Sequence, residues 1–69
     1  MVEVFKTNVQ DNIDAANLAK VLLGIFPHSK INFDLEDCDS ILRIENTSVC
    51  IESVVFILQA NGFVCEVLK

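Results

Sequence analysis

Residues 31–45 read INFDLEDCDSILRIE, and this stretch decides the fold. Between residues 31 and 36, apolar and polar side chains alternate with a period of two, as in a strand that buries one face. The polar segment 37–40 predicts a turn, and the alternation resumes over residues 41–45. The stretch therefore predicts a β-hairpin in the middle of the chain.

A strand and a helix are predicted before this hairpin. Residues 2–7 alternate with a period of two, and a helical spacing follows them. Asp11 is suited to cap the start of this helix, and Gly24 and Pro27 are predicted to end it. The side chains predicted to face the core from this helix are Ile13, Ala15 or Ala16, Leu18, Ala19, Leu22 and Ile25.

A second helix and a last strand are predicted after the hairpin. Asn46, Thr47 and Ser48 are three candidate capping residues for the helix. The pair Asn61 and Gly62 predicts a left-handed C-terminal stop, and residues 63–67 read as a short strand. One face of this helix carries Ile51, Val54, Val55 and Leu58.

The element order is therefore β-α-β-β-α-β within a single domain, residues 1–69. Right-handed crossovers then require an antiparallel sheet in the order 4-1-3-2, with both helices on one face. The predicted fold class is α+β, a ferredoxin-like open-faced sandwich.

Several segments resemble the heavy-metal-associated domain, the fold of copper chaperones and of the N-terminal modules of metal-transporting ATPases. Residues 31–36 (INFDLE) resemble the second strand of that family, V-x-V-D-L-E, and residues 41–45 resemble its third strand. Residues 60–63 (ANGF) followed by 66–68 (EVL) resemble its closing segment. The resemblance implies a small sandwich domain in which the loop after the first strand carries the metal site.

That loop departs from the family pattern. The family binds Cu(I) or Zn(II) through a C-x-x-C motif, because two thiolates suit these ions. Here the loop, residues 7–12, reads TNVQDN, and the first cysteine of the chain is Cys38. We therefore expect no metal site and no cofactor.

The three cysteines raise the alternative of a metal site elsewhere in the chain. The predicted topology places Cys38 in the central hairpin, Cys50 at the opposite end and Cys65 within the last strand, so they are not expected to share one ion. Cys50 and Cys65 are expected to be buried and Cys38 to be an exposed thiol. A metal-handling protein would have to use Cys38 with oxygen ligands of the hairpin or with a second molecule.

Charge and composition exclude other classes of partner. The net charge is −5, which opposes binding to nucleic acids and to anionic bilayers. We expect neither a signal peptide nor a transmembrane helix, and an odd number of unpaired cysteines favours a reducing cytoplasm.

The sheet face without helices is the predicted interaction surface. The alternation assigns to it Phe5, Ile41, Arg43 and Val64 from three adjacent strands, together with ion pairs of Arg43 to Glu3 and Asp34. Phe56, among polar residues on the outward side of the second helix, is a further candidate.

We therefore expect a non-enzymatic protein-interaction or regulatory module, which binds a protein partner or a second copy through the open sheet face. The chain has one histidine, His28, and no acid, base and nucleophile that converge. A metal-handling protein and a small-ligand sensing module are the alternatives.

Overall fold

The computed structural model describes residues 2–45 and 49–68. The elements are β1 (Val2–Thr7), α1 (Asn12–Ile25), β2 (Lys30–Asp34), β3 (Ile41–Glu45), α2 (Ile51–Ala60) and β4 (Cys65–Leu68). The strands pair antiparallel in the order β2-β3-β1-β4, which is the predicted order read from the opposite edge. The α+β class and the ferredoxin-like βαββαβ arrangement are therefore confirmed.

Helix α1 begins as the sequence predicts and ends slightly later. The Asp11 carboxylate accepts a hydrogen bond of 2.7 Å from the backbone N–H of Ile13, which confirms Asp11 as the N-cap. Gly24 lies inside the helix, so its predicted role as the stop is wrong. The helix ends because Phe26, held by the following Pro27, adopts a non-helical backbone conformation (φ −120°, ψ 71°).

Helix α2 ends in a Schellman motif. Gly62 has φ +88°, a left-handed conformation that costs glycine little, as the sequence predicts. The N–H of Gly62 donates to the carbonyl of Gln59 (3.0 Å), and that of Phe63 donates to the carbonyl of Leu58 (2.9 Å). At the other end Cys50 is the N-cap. The three predicted capping residues, Asn46, Thr47 and Ser48, lie outside the described residues.

The core lies between the helices and one face of the sheet. From α1 it receives Ala15, Leu18 and Leu22, which are spaced three and four residues apart. Ile13 is 70% exposed and Ile25 is 51% exposed, so their predicted place in the core is wrong. The buried apolar residues are Phe5, Val9, Ala15, Leu18, Leu22, Leu42, Ile44, Val54, Leu58 and Cys65.

The two faces of strand β1 are the reverse of those predicted. Phe5 is fully buried, so its assignment to the open sheet face and to an interaction surface is wrong. Its register partners are Leu42 on β3 and Val67 on β4, which point toward the helices, and cross-strand partners share a face. The open face therefore receives Val2, Val4 and Lys6.

The end of β1 is tied to the β2–β3 hairpin. The buried Thr7 hydroxyl donates a hydrogen bond of 2.7 Å to the carbonyl of Ser40 and accepts one of 3.2 Å from the N–H of Val9. The Thr7 N–H donates to the carbonyl of Asp39 (3.1 Å). These bonds fix the hairpin against the loop that follows β1.

Candidate interaction surfaces

The open sheet face is a mixed surface of apolar and charged side chains. Within the described residues it has three rows across the strands, set by the cross-strand register. The first row is Lys30, Glu45 and Val2; the second is Asn32, Arg43, Val4 and Leu68; the third is Asp34, Ile41, Lys6 and Glu66.

An apolar corner occupies one end of this face. Val2 is 47% exposed and Leu68 is 39% exposed, and Val4, between them in the sheet, is half-buried. The predicted stripe of Val64, Phe5 and Ile41 does not form, because Lys6 rather than Phe5 is the neighbour of Ile41 on β1. Sequence reasoning missed this corner because it gave β1 the wrong phase.

The remaining predicted surface residues are placed as follows. Ile41 is half-buried on the open face, and Val64, just before β4, is 60% exposed. Arg43 is exposed in the middle row, where its register partners are Asn32 and Val4. Its predicted pairing with Glu3 is wrong, because Glu3 lies on the same side of β1 as the buried Phe5.

Charge is distributed unevenly over the molecule. The open face carries three basic side chains (Lys6, Lys30, Arg43) and three acidic ones (Asp34, Glu45, Glu66), so it is formally neutral. The other seven acidic residues of the chain lie elsewhere. Among the described residues, Lys20 is the one lysine or arginine outside the open face. The excess negative charge therefore belongs to the helices, the loops, the hairpin and, through Glu3, the helix-facing side of the sheet.

A second surface lies on the opposite side, between the helices. Phe56 is 71% exposed, as predicted, and Ile25 at the end of α1 stands 51% exposed. Together they line a groove of about 610 Å³. Its remaining lining residues, all from the start and one side of α2, are Cys50, Glu52, Ser53 and Ile57.

The hairpin turn gathers three potential metal ligands. One ligand atom each from Asp37, Cys38 and Asp39 lies within 4.8 Å of the others. Both carboxylates already have partners: Asp37 Oδ1 accepts from the N–H of Asp39 (2.9 Å), and Asp39 Oδ1 lies 3.6 Å from Lys6 Nζ. The arrangement offers one soft and two hard donors on an exposed turn.

The three thiols occupy different environments. Cys38 is exposed and Cys65 is buried, as predicted, and all three cysteines are free. The prediction that Cys50 is buried is wrong, because its position as N-cap turns it toward solvent. Hydrogen bonds from the Ser53 side chain and backbone lower the pKa of Cys50, whereas burial raises the pKa of Cys65 to about 11.

Comparison with known proteins adds no family assignment. The sequence matches no protein-family model, and the curated proteins and solved structures compared with it gave no match. Within the described residues, no helix combines the length and the apolar character needed to cross a bilayer. The longer helix, α1, has 14 residues, which span roughly 21 Å against a hydrocarbon core of about 30 Å.

Proposed function

We propose that this chain is a non-catalytic protein-interaction module that associates through the open face of its sheet, with a second copy as the partner. One observation carries the proposal: the face that no helix covers is charge-neutral and partly apolar in a chain of net charge −5. Two copies that meet through this face bring together their surfaces of least mutual repulsion.

The loop after β1 supports a module without a metal site. Val9 is fully buried in the core, and Asn8 Oδ1 accepts a hydrogen bond of 2.8 Å from the N–H of Val64. Residues in the position of the C-x-x-C motif of heavy-metal-associated domains thus stabilise the fold. We propose that the chain is a divergent domain of this kind that works in a reducing cytoplasm, where its three free thiols are stable.

The size of the sheet limits the strength of the association. Four strands about 4.8 Å apart and roughly 18 Å long present an area of roughly 350 Å². Two such faces in contact bury roughly 700 Å² in total, which is below the 1,200 to 2,000 Å² of standard stable interfaces. We therefore expect a weak, reversible dimer, so the test must cover high protein concentrations.

Sedimentation velocity from about 10 µM to about 1 mM tests this proposal. The mass is expected to rise from that of one chain toward that of two. Val4→Glu is expected to hold the protein at one chain, because it places a charge in the apolar corner. Ile13→Glu is the matched control, since Ile13 is 70% exposed on α1, away from the sheet.

The control variant is expected to associate like the wild type, and circular dichroism checks that both variants are folded. A wild-type protein that stays monomeric at every concentration contradicts the self-association. A dimer that Val4→Glu leaves intact contradicts the choice of surface.

A metal-handling role is the second candidate, and the three ligand atoms of the hairpin favour it. Zn(II) accepts both thiolate and carboxylate ligands, whereas Cu(I) prefers sulfur. Cys38 with Asp37 and Asp39 therefore suits Zn(II) better, provided that Asp39 gives up its ion pair with Lys6. Anaerobic titration of the wild type and of Cys38→Ser with each ion tests it: tight binding that the variant loses would favour this role over the first.

A small-ligand sensor remains the third candidate. A groove of about 540 Å³ between the start of α1 and the edge strand β2 is lined by Gln10, Asn12, Asp34 and Glu36 among others. Its amide and carboxylate groups suit a polar ligand. A panel of metabolites that fails to raise the unfolding temperature would eliminate this candidate.

A further inference from the structure

Strand β2 lies at an edge of the sheet. The strand order places β3 on one side of it and no described strand on the other. One row of its backbone N–H and C=O groups therefore points outward, and such a row is a template for a further strand. The strand reads KINFD, with a base, Lys30, at its start and an acid, Asp34, at its end.

This sequence matches a second copy of itself when the two strands run antiparallel about Asn32. Lys30 of each copy then lies opposite Asp34 of the other on the open-face side, and Ile31 lies opposite Phe33 on the helix side. Opposed residues in this register differ by an even number of positions, so the outward backbone groups of the two strands face each other. Opposite charges and aromatic–β-branched pairs are cross-strand pairs that stabilise antiparallel sheets.

The side chains of β2 lack cover on the outer side. Ile31 and Phe33 are half-buried, whereas their register partners on β3, Ile44 and Leu42, are fully buried. A strand of a second copy would cover the outer flanks of both side chains. Asp34 has the apolar Ile41 as its register partner on β3, so a second copy would place a lysine beside this carboxylate.

Helix α1 leaves room beside this edge. It packs on β2, whereas α2 packs on β4. Asn12 and Ala15 of α1 line a groove beside Phe33 at the edge. The helical spacing places on the same flank Ala16, Ala19 and Leu23. These side chains are small or apolar and uncharged, so α1 of a second copy can lie next to them when the strands pair.

We propose that β2 pairs with β2 of a second copy across a two-fold axis at Asn32, which joins two four-stranded sheets into one of eight strands. The other edge, β4, lacks this match: self-pairing about Glu66 opposes two carboxylates, and self-pairing about Val67 opposes Glu66 to Leu68. The contact is separate from the proposed association through the open face. A strand of five residues covers less area than that face, so edge pairing is the weaker contact and needs a chemical trap.

Disulfide trapping tests the pairing. Asn32→Cys is made in a Cys38→Ser, Cys50→Ser background, which keeps the buried Cys65. The two new thiols then lie opposite each other, at a Cα separation of about 4.5–5.5 Å that a disulfide bridges. Oxidised glutathione is expected to link this variant into a dimer about tenfold faster than Asn17→Cys, an exposed control position on α1.

Two further variants check the register and the surface. A mixture of Lys30→Cys and Asp34→Cys is expected to give mainly the mixed dimer, whereas each variant alone links no faster than the control. Asn32 also lies on the open face, so the trapping of Asn32→Cys is repeated with Val4→Glu. Edge pairing is expected to survive that substitution, and circular dichroism checks that each variant is folded.

The outcomes separate the two contacts. Asn32→Cys that links no faster than Asn17→Cys overturns the edge pairing, and so does a mixture whose self-linked products equal the mixed one. Linking that Val4→Glu abolishes also overturns it, because the contact would then run through the open face. A wild-type protein that stays monomeric in sedimentation, while Asn32→Cys is linked with and without Val4→Glu, contradicts only the face association.

Discussion

Replacement of Thr7 by valine tests how the chain fixes its hairpin. The Thr7 hydroxyl bridges the carbonyl of Ser40 (2.7 Å) and the N–H of Val9 (3.2 Å) at a position that is 6% exposed. Valine has nearly the same shape, so the packing of the site is preserved. Both hydrogen bonds are lost, so the Ser40 carbonyl and the Val9 N–H stay buried without the hydroxyl as their partner.

The expected cost follows from those two groups. An unsatisfied buried donor or acceptor costs about 1–3 kcal/mol, so the two groups together are expected to lower the free energy of unfolding of Thr7→Val by about 2–6 kcal/mol. A domain of this length has a total stability of roughly 3–10 kcal/mol. The melting temperature is therefore expected to fall by roughly 8–16 °C for a loss of about 2 kcal/mol.

Urea unfolding followed by circular dichroism measures this loss, and Thr7→Ser is the control. Serine keeps the hydroxyl and loses one methyl group, so it is expected to cost about 0.8 kcal/mol. A Thr7→Val protein as stable as Thr7→Ser would refute the reasoning, because the hydroxyl would then contribute nothing beyond its shape.

Three further predictions concern the end of α2 and the thiols. Gly62→Ala is expected to lower the free energy of unfolding by about 1 kcal/mol, since alanine is strained at φ +88°; equal urea midpoints would argue against the left-handed stop. The pKa of Cys65 is raised from 9.0 to about 11 by burial, so the stability that its neutral thiol provides is fully present below pH 9 and is lost as the pH rises toward 11. The loss over that interval is about 2–3 kcal/mol, and urea unfolding at several pH values should show it in the wild type and not in Cys65→Ala. Because Ser53 lowers the pKa of Cys50, iodoacetamide is expected to label Cys50 well before Cys65, and Ser53→Ala should slow that labelling; peptide mapping by mass spectrometry that finds an unchanged rate would exclude the Ser53 hydrogen bond as the cause.

The sequence predicts the hairpin, and with it the strand order, because apolar and polar residues alternate strongly with a period of two there. Phe33 and Ile44 each lie between two strongly polar residues, so the buried face of each strand is unambiguous. In β1, by contrast, Val2 and Val4 occupy one face and Phe5 the other, and the period alone cannot choose between them. The structure buries the larger Phe5 ring, which fills more of the core than a valine side chain would.

The candidate surfaces were predictable to different degrees. The exposure of Phe56 follows from its position among polar residues on α2, and the structure confirms it. The groove was not predicted, because Ile25 fits the helical spacing of α1 and was expected in the core. Cys50 was expected to be buried, and only the position at which α2 begins shows that it is a cap.

The uneven placement of charge gives the molecule a defined orientation on a positively charged support. An anion-exchange resin or an amine-coated slide would hold it by the helices and the acidic hairpin, where the surplus carboxylates lie. The neutral sheet would then point away from the support. Immobilisation of this kind would present the proposed self-association surface to molecules in solution and would hide the groove beside Phe56.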